Sequence, residues 1–317
     1  MKKGDIGQKI KNLQYKLKKV LNRNITIDGD FGPATEKAVK RFQKLYGLLV
    51  DGFAGPKTNA KLLEVYKEMF EQNSNLLSFG KKRFVVFVDA GHGGISEQGT
   101  YVTPGKRAHH PGASLHERGH YYEGYENRII AEAFIEACTE AGIMCVRTYH
   151  PYKDTSLSTR TEIIRSWLRR GYYGYLHSFH SNAISSKNSA EKLESTRGFM
   201  VFSTKENNFS DKVAQQHFDN VKEVVGKDAW KYREQNRRDG DADFEVNFQI
   251  LRETDLDEFK LFGAILEEWG FHTSKAECEF IIDPENREKR VEASLRTAKW
   301  AKEELGKMLE DDCEPSC

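Results

Sequence analysis

The sequence has 317 residues, and 49 Lys and Arg against 48 Asp and Glu give a formal net charge of +1. That balance leaves no global field to draw the chain to nucleic acid or to an anionic membrane. Charged residues make up 31%, and no apolar run is long enough to span a bilayer, which argues against membrane insertion. The length accommodates one medium domain plus a small module. Five cysteines (Cys138, Cys145, Cys278, Cys313 and Cys317) include no CxxC pair and are odd in number, a pattern of reduced thiols. After Met1-Lys2-Lys3 come Gly4 and Asp5 where a secretory signal would turn apolar, so synthesis in the cytoplasm without a signal peptide is expected.

The first segment carries a phrase twice, Asp28-Gly-Asp-Phe-Gly-Pro-Ala-Thr35 and Asp51-Gly-Phe-Ala-Gly-Pro-Lys-Thr58. Each Asp-Gly supplies a turn, and each Gly-Pro-x-Thr can start a helix with Pro near its first position. Leu13, Leu17 and Leu21 line an earlier helix, and Ala38, Val39, Phe42 and Leu45 form an apolar stripe on the next. A small three-helix domain is expected.

These phrases, together with Leu13-Gln14, Phe42-Gln43 and Gly47-Leu48, resemble the peptidoglycan-binding domain over nearly all of residues 4–66. The resemblance implies a module, residues 1–66, that holds cell-wall muropeptide in a shallow groove, with Asp28, Asp30 and Phe31 near the ligand. For those three residues a purely architectural role stands beside that reading. Residues 67–82 read as a helix continuation running into a polar linker.

The run Phe84-Val-Val-Phe-Val-Asp-Ala-Gly-His-Gly-Gly94 predicts a buried strand feeding a tight turn that holds His92 at a sheet edge. A long loop, 95–122, follows. Residues from Glu123 read as an amphipathic helix, residues 142–147 as the next strand, and residues from Asp154 as another helix capped by Ser158 or Thr159. Tyr172 to Ala183 reads as a strand ending in a second rigidly held histidine, with His180 repeating the placement of His92. Beyond a polar insertion, 184–197, come a strand at 198–202, a helix from about Asp211 to Val225, a charged loop at 237–244 and a strand-like 248–252. A helix or strand near Phe262 then delivers Glu267-Glu-Trp-Gly-Phe271, and a long charged helix closes the chain from Pro284 to Leu309. Strand, helix, strand is the cadence of an α/β sheet.

Two strand-end histidines and a carboxylate at a helix head form a ligand set for a catalytic zinc, which takes three protein ligands and keeps one position open. His92, Glu123 and His180 fit those roles, and Glu268 fits that of the carboxylate that moves protons. His116-Glu-Arg-Gly-His120 matches the HExxH of zinc peptidases, but Gly112, Gly119 and Gly124 argue against the helix that motif needs. His109, His110, His116 and His120 then read as loop residues near a groove, and His177 as a core histidine.

Residues 84 to about 303 resemble the zinc-dependent N-acetylmuramoyl-L-alanine amidases of bacterial autolysins and phage endolysins. The matching phrases are Asp89-Ala-Gly-His-Gly-Gly94, Glu123-x-x-x-Asn127, Leu157-Ser-x-Arg160, Ser178-Phe-His-Ser-Asn-Ala183 and Glu268-Trp-Gly-Phe271. The resemblance implies an α/β catalytic domain, residues 83–305, with a central twisted β-sheet flanked by helices, before an acidic tail at 306–317. It implies Zn2+ on His92, Glu123 and His180, Glu268 as catalytic base and acid, and peptidoglycan as substrate. Glu126 and Glu267 are the near neighbours that Asn127 and Gly270 count against. Ser274 replaces a customary Asn, which bears on substrate fit. An endolysin released to the cell wall is the expected setting, with a stem-peptide zinc peptidase or a non-catalytic wall-binding protein as alternatives.

Overall fold

The computed structural model describes residues 1–21, 25–75, 83–96, 98–116, 118–204, 208–235, 241–256 and 259–311. The chain forms two compact units, one built on Met1–Lys81 and the other on the residues from Lys82 onwards.

The first unit holds helices α1 (Gln8–Leu21), α2 (Pro33–Leu45) and α3 (Pro56–Asn75). Ile10, Leu13, Leu17, Val39, Phe42 and Leu62 meet in its core. The repeated phrase becomes a repeated device. Gln14 Nε2 donates to Asp28 Oδ1, Asp30 O and Thr35 Oγ1 at 2.7, 2.9 and 2.9 Å, while its Oε1 accepts from Gly29 N at 2.9 Å. Gln43 does the same with Asp51, Phe53, Thr58 and Gly52 at 2.7, 3.0, 3.1 and 2.9 Å. A buried amide therefore satisfies each Asp-Gly turn from within, as a buried polar group requires.

Phe31, expected near a ligand, is fully buried in the core, as is Ala54 at the matching place in the second repeat. The residue after each turn is the one the turn drives inwards. Of the linker expected at 67–82, the part to Asn75 is helix α3 and the rest lies outside the described residues.

The second unit has β1 (Phe84–Ala90), β2 (Arg107–His109), β3 (His120–Tyr122), α4 (Glu123–Glu140), β4 (Cys145–Arg147), α5 (Leu157–Leu168), β5 (Tyr173–Asn182) and α6 (Ala190–Ser195). It continues with β6 (Phe199–Ser203), α7 (Phe209–Val225), β7 (Phe244–Glu245), α8 (Gln249–Arg252), β8 (Phe262–Phe271), α9 (Lys275–Ile282) and α10 (Pro284–Asp311). Six strands form one sheet in the order β4-β1-β5-β8-β6-β7. β4, β1, β5 and β8 are parallel, while β6 runs antiparallel to β8 with Phe199 opposite Trp269.

Every residue of β1 is buried, so the strand lies between two layers, as its unbroken apolar run requires. One face packs Val86, Val88, Tyr175, Phe179 and Ile265 against Phe134, Val213 and Ala298 of α4, α7 and α10. The other packs Val85, Phe87, Leu176 and Ala264 against Ile164 and Leu251 of α5 and α8. The 95–122 loop contains the short hairpin β2–β3, and 248–252, read as strand-like, forms α8 because four residues are too few to show a period. The cap of α5 is Ser156, whose oxygen accepts from Thr159 N at 3.2 Å, rather than Ser158 or Thr159. Residues 236–240 and 312–317, with Cys313 and Cys317, lie outside the described residues. Among the described residues no helix is long and apolar enough to cross a membrane.

Candidate active site

The carboxyl ends of β1, β5 and β8 bring the chemistry together, as open parallel sheets do. His92 follows β1, His180 lies near the end of β5, Glu268 lies on β8, and Glu123 is the first residue of α4. His92 Nε2 and His180 Nδ1 each stand 3.2 Å from Glu123 Oε1. The two imidazoles are 5.1 Å apart and nearly perpendicular, at 86°. Ligand atoms of all three residues lie within 4.8 Å of one another. The two histidine side chains are 21% and 15% exposed, which leaves the cluster an open side, while Glu123 is 1% exposed.

The donor set fits a zinc ion by its chemistry: two imidazoles and a carboxylate converge, and the buried Oε2 of Glu123 has no hydrogen-bond partner. Burial pushes the Glu123 carboxyl up, but the imidazoles of His180 and His92 outweigh it and hold it well below the usual range. Burial lowers the His180 imidazole, which favours the neutral form that ligates metals.

Backbone geometry explains why glycines flank the cluster. A Cβ on Gly91 would sit 2.1 Å from His180 Cε1, and one on Gly124 would sit 2.1 Å from Gly93 O. His92 itself is left-handed, with φ of 61°, a conformation most side chains avoid. Two guanidinium groups hold it there. Arg128 Nη2 and Arg160 Nη2 donate to its carbonyl at 2.8 and 2.9 Å.

Arg160 is in turn fixed by Asp89, with Nη1 2.6 Å from Oδ1 and both side chains 2% exposed. Thr148 and Ser178 also donate to Asp89, at 2.5 and 2.7 Å. Burial raises the Asp89 carboxyl, and Arg160 with these hydroxyls brings it below its ordinary value. Arg128 donates to the carbonyls of His92, Gly124, His150 and Lys153, and burial lowers it to about 10. Asn127 Nδ2 donates to Gly91 O at 3.4 Å, which gives the Asn of the Glu-x-x-x-Asn phrase a place under the histidine turn.

Glu268 is the Cα register partner of His180. Its Oε2 is enclosed without a hydrogen-bond partner. Burial, then the nearby charge of Glu123, push its carboxyl well above the usual range. Glu267 points to the opposite face of the sheet and Glu126 is 2.5 Å from Arg287, so neither competes for the site.

The HExxH phrase is not a helix, since Arg118 and Gly119 both have positive φ. His116 accepts from Tyr122 N through Nδ1 and meets Glu126 Oε2 through Nε2, both at 2.9 Å. His120 stacks on His109 across β2–β3 at 4.3 Å. His110 Nε2 lies 3.0 Å from His272 O, which follows the β8 end. His177 is fully buried, 4.4 Å from the ring of Phe179. In the first unit Asp28 and Asp30 are exposed, with Asp28 Oδ1 committed to Gln14 and the Asp30 amide.

Sequence reasoning missed Arg128, Arg290 and the pairing of Glu267 with His217. No local signal marks them, because their partners lie on other elements.

Residues 6–62 match the peptidoglycan binding domain family, and residues 86–298 match the family described as N-acetylmuramoyl-L-alanine amidase. A zinc D-Ala-D-Ala carboxypeptidase of Streptomyces albus G is 40% identical over 67 residues, which are 20% of this chain and 26% of that protein. A probable N-acetylmuramoyl-L-alanine amidase of Bacillus licheniformis is 56% identical over 45 residues, 14% of this chain and 13% of that protein. The aligned stretches thus span about a quarter or less of these relatives' own lengths. Crystal structures of N-acetylmuramyl-L-alanine amidases from Mycobacterium abscessus and Mycobacterium smegmatis share the fold at a TM-score of 0.50 each. Their identities are 13% and 16%, over 70% and 71% of this chain and 99% and 98% of theirs. With 86–298 covering well over half of its length, the chain belongs to the N-acetylmuramoyl-L-alanine amidase family.

Proposed function

We propose that this protein is a zinc-dependent peptidoglycan hydrolase that cleaves the amide between N-acetylmuramic acid and L-alanine. The observation that carries the reading is the open His92–Glu123–His180 cluster with Glu268 on the adjoining strand. When bound, zinc would polarise the scissile carbonyl and acidify water beside it. His92, Glu123 and His180 would hold it, and the two arginines on the His92 carbonyl keep the first of these in place. Burial and the charge of Glu123 raise the Glu268 carboxyl, and with a cation held on Glu123 the second of these causes would be offset, favouring the ionised form of a base. Glu268 then takes a proton from the attacking water and delivers it to the departing amine of L-alanine. The N-terminal helices would keep the catalyst on its polymer and raise local substrate concentration.

Digestion of purified peptidoglycan with and without a zinc chelator, followed by mass analysis, tests this. The expected products are intact glycan strands and peptides with a free L-alanine amine, absent after chelation. Cuts inside the stem peptide would establish a peptidase instead, and binding without release would leave only a wall-binding role.

A further inference from the structure

Behind the strands that carry His180 and Glu268 lies a second cluster of two histidines and a glutamate, His177, His217 and Glu267, all fully buried. It is closed where the first is open. Glu267 Oε1 is 2.6 Å from Arg290 Nε, and Oε2 is 2.7 Å from His217 Nε2, so the carboxylate is already neutralised. His217 Nδ1 meets Thr297 Oγ1 at 3.0 Å, and Tyr175 OH meets His177 Nδ1 at 3.3 Å. A divalent cation here would add two charges to a dry interior that holds a guanidinium, so the cluster does not read as a second metal seat.

What the cluster grips is the active-site backbone. Arg290 is 0% exposed, and its Nη2 donates to the carbonyl of His180 at 3.3 Å. The strand pairing of β5 with β8 shifts register just past His180, between His180 and Asn182. The guanidinium also lies 5.4 Å from the ring of Phe179 and 5.1 Å from that of Trp269. Those are the residues before His180 and after Glu268. One planar group thus bears on both strand ends at the step where metal ligand and proton carrier face each other.

We propose that Arg290, oriented by Glu267, is a positioning residue that sets the geometry of His180 relative to Glu268 without touching metal or substrate. The reading rests on the function proposed above. A forked guanidinium can serve Glu267 and the His180 carbonyl together; an ammonium is a point charge and cannot reproduce that fork.

The test compares Arg290→Lys with wild-type protein, using competition against a zinc-binding dye and turnover of a soluble muropeptide. Arg290→Lys is expected to raise the zinc Kd by roughly 10- to 100-fold, the range typical of partners that orient ligands. It should also lower kcat at least about tenfold with KM nearly unchanged, the pattern of an interaction realised only in the transition state. A double variant, Glu267→Met with Arg290→Met, removes both charges without stranding either. It should fold and show the same two losses. Wild-type zinc affinity and kcat in either folded variant overturn the proposal, and so does failure of both variants to fold, which would make Arg290 a folding residue only. If wild-type protein releases nothing from the muropeptide, the assigned reaction fails, while the zinc affinities still decide the role of Arg290.

Discussion

His180 and Glu268 are register partners on the adjoining parallel strands β5 and β8. Strand pairing therefore fixes side by side the imidazole proposed to hold metal and the carboxyl proposed to carry protons. Glu268→Gln keeps the shape and removes the proton transfer. Turnover should fall about 10²- to 10⁴-fold with zinc content at the wild-type level. Metal analysis beside product release measures both, and wild-type turnover would remove Glu268 from the mechanism.

Gly91→Ala places a methyl group 2.1 Å from His180 Cε1 and 2.4 Å from Nε2, so the ring must leave its place. The expected outcome is loss of stoichiometric zinc and of activity in a protein that still folds. Gly306→Ala, a helical position with nothing within 4 Å, is the control and should gain up to about 1 kcal/mol. Equal zinc content in the two variants would show that the glycine serves only the turn.

Arg160→Met leaves Asp89 buried and unpaired and withdraws one of the two donors on the His92 carbonyl. Breaking a buried pair in this way costs about 3–5 kcal/mol. Adding Asp89→Asn should recover a large part of that in urea melts, but not the zinc affinity, because His92 still lacks its clamp. Recovery of both would reduce Arg160 to a structural ion pair.

His177 gives stability a pH dependence of known sign. Burial, with the charges of His217 and Arg290 and against that of Glu267, lowers its imidazole to about 4 from 6.5. The native state then binds fewer protons than the unfolded chain, so this contribution is complete above pH 6.5 and is lost as pH falls towards 4. It is worth up to about 3 kcal/mol, since a tenfold proton-affinity difference is worth about 1.4 kcal/mol. Denaturant melts between pH 7 and 4 should show the decline in wild-type protein and a smaller one in His177→Phe. Parallel declines would place the titration elsewhere.

The four residues of the proposed site stand out in the sequence because each sits beside a local signal: glycines after β1, an Asn one helical turn after Glu123, a glycine two residues past Glu268. The supporting arginines do not. The buried stripe of the last helix runs through Arg290, Ala293, Ser294, Thr297, Ala298, Ala301 and Leu305. Three of the seven are polar, and hydropathy periodicity cannot detect polar residues whose partners lie on other elements.

The repeated phrase of the first unit shows the same boundary from the other side. Its turns were legible from Asp-Gly, yet the glutamines that satisfy them were read as part of a motif without a task. Gln43→Ala strips four hydrogen bonds from the second turn and should cost about 1–3 kcal/mol locally. Faster hydrogen exchange at the Gly52 and Phe53 amides is the readout, with Gln14→Ala doing the same at Gly29 and Asp30.

The reversed direction of β6 bears on how this enzyme can change. Because β6 starts opposite Trp269, the chain leaving β5 at Asn182 re-enters the sheet at Phe199 along the same edge, with no crossover to make. The segment between is moored by Glu194, whose carboxylate accepts from the Lys275 and Ala276 amides at the head of α9 at 2.9 and 3.2 Å. Its length and composition can therefore drift without disturbing a single strand pair. The fold thus leaves a variable segment at the carboxyl edge of β5 while the sheet beneath stays the same.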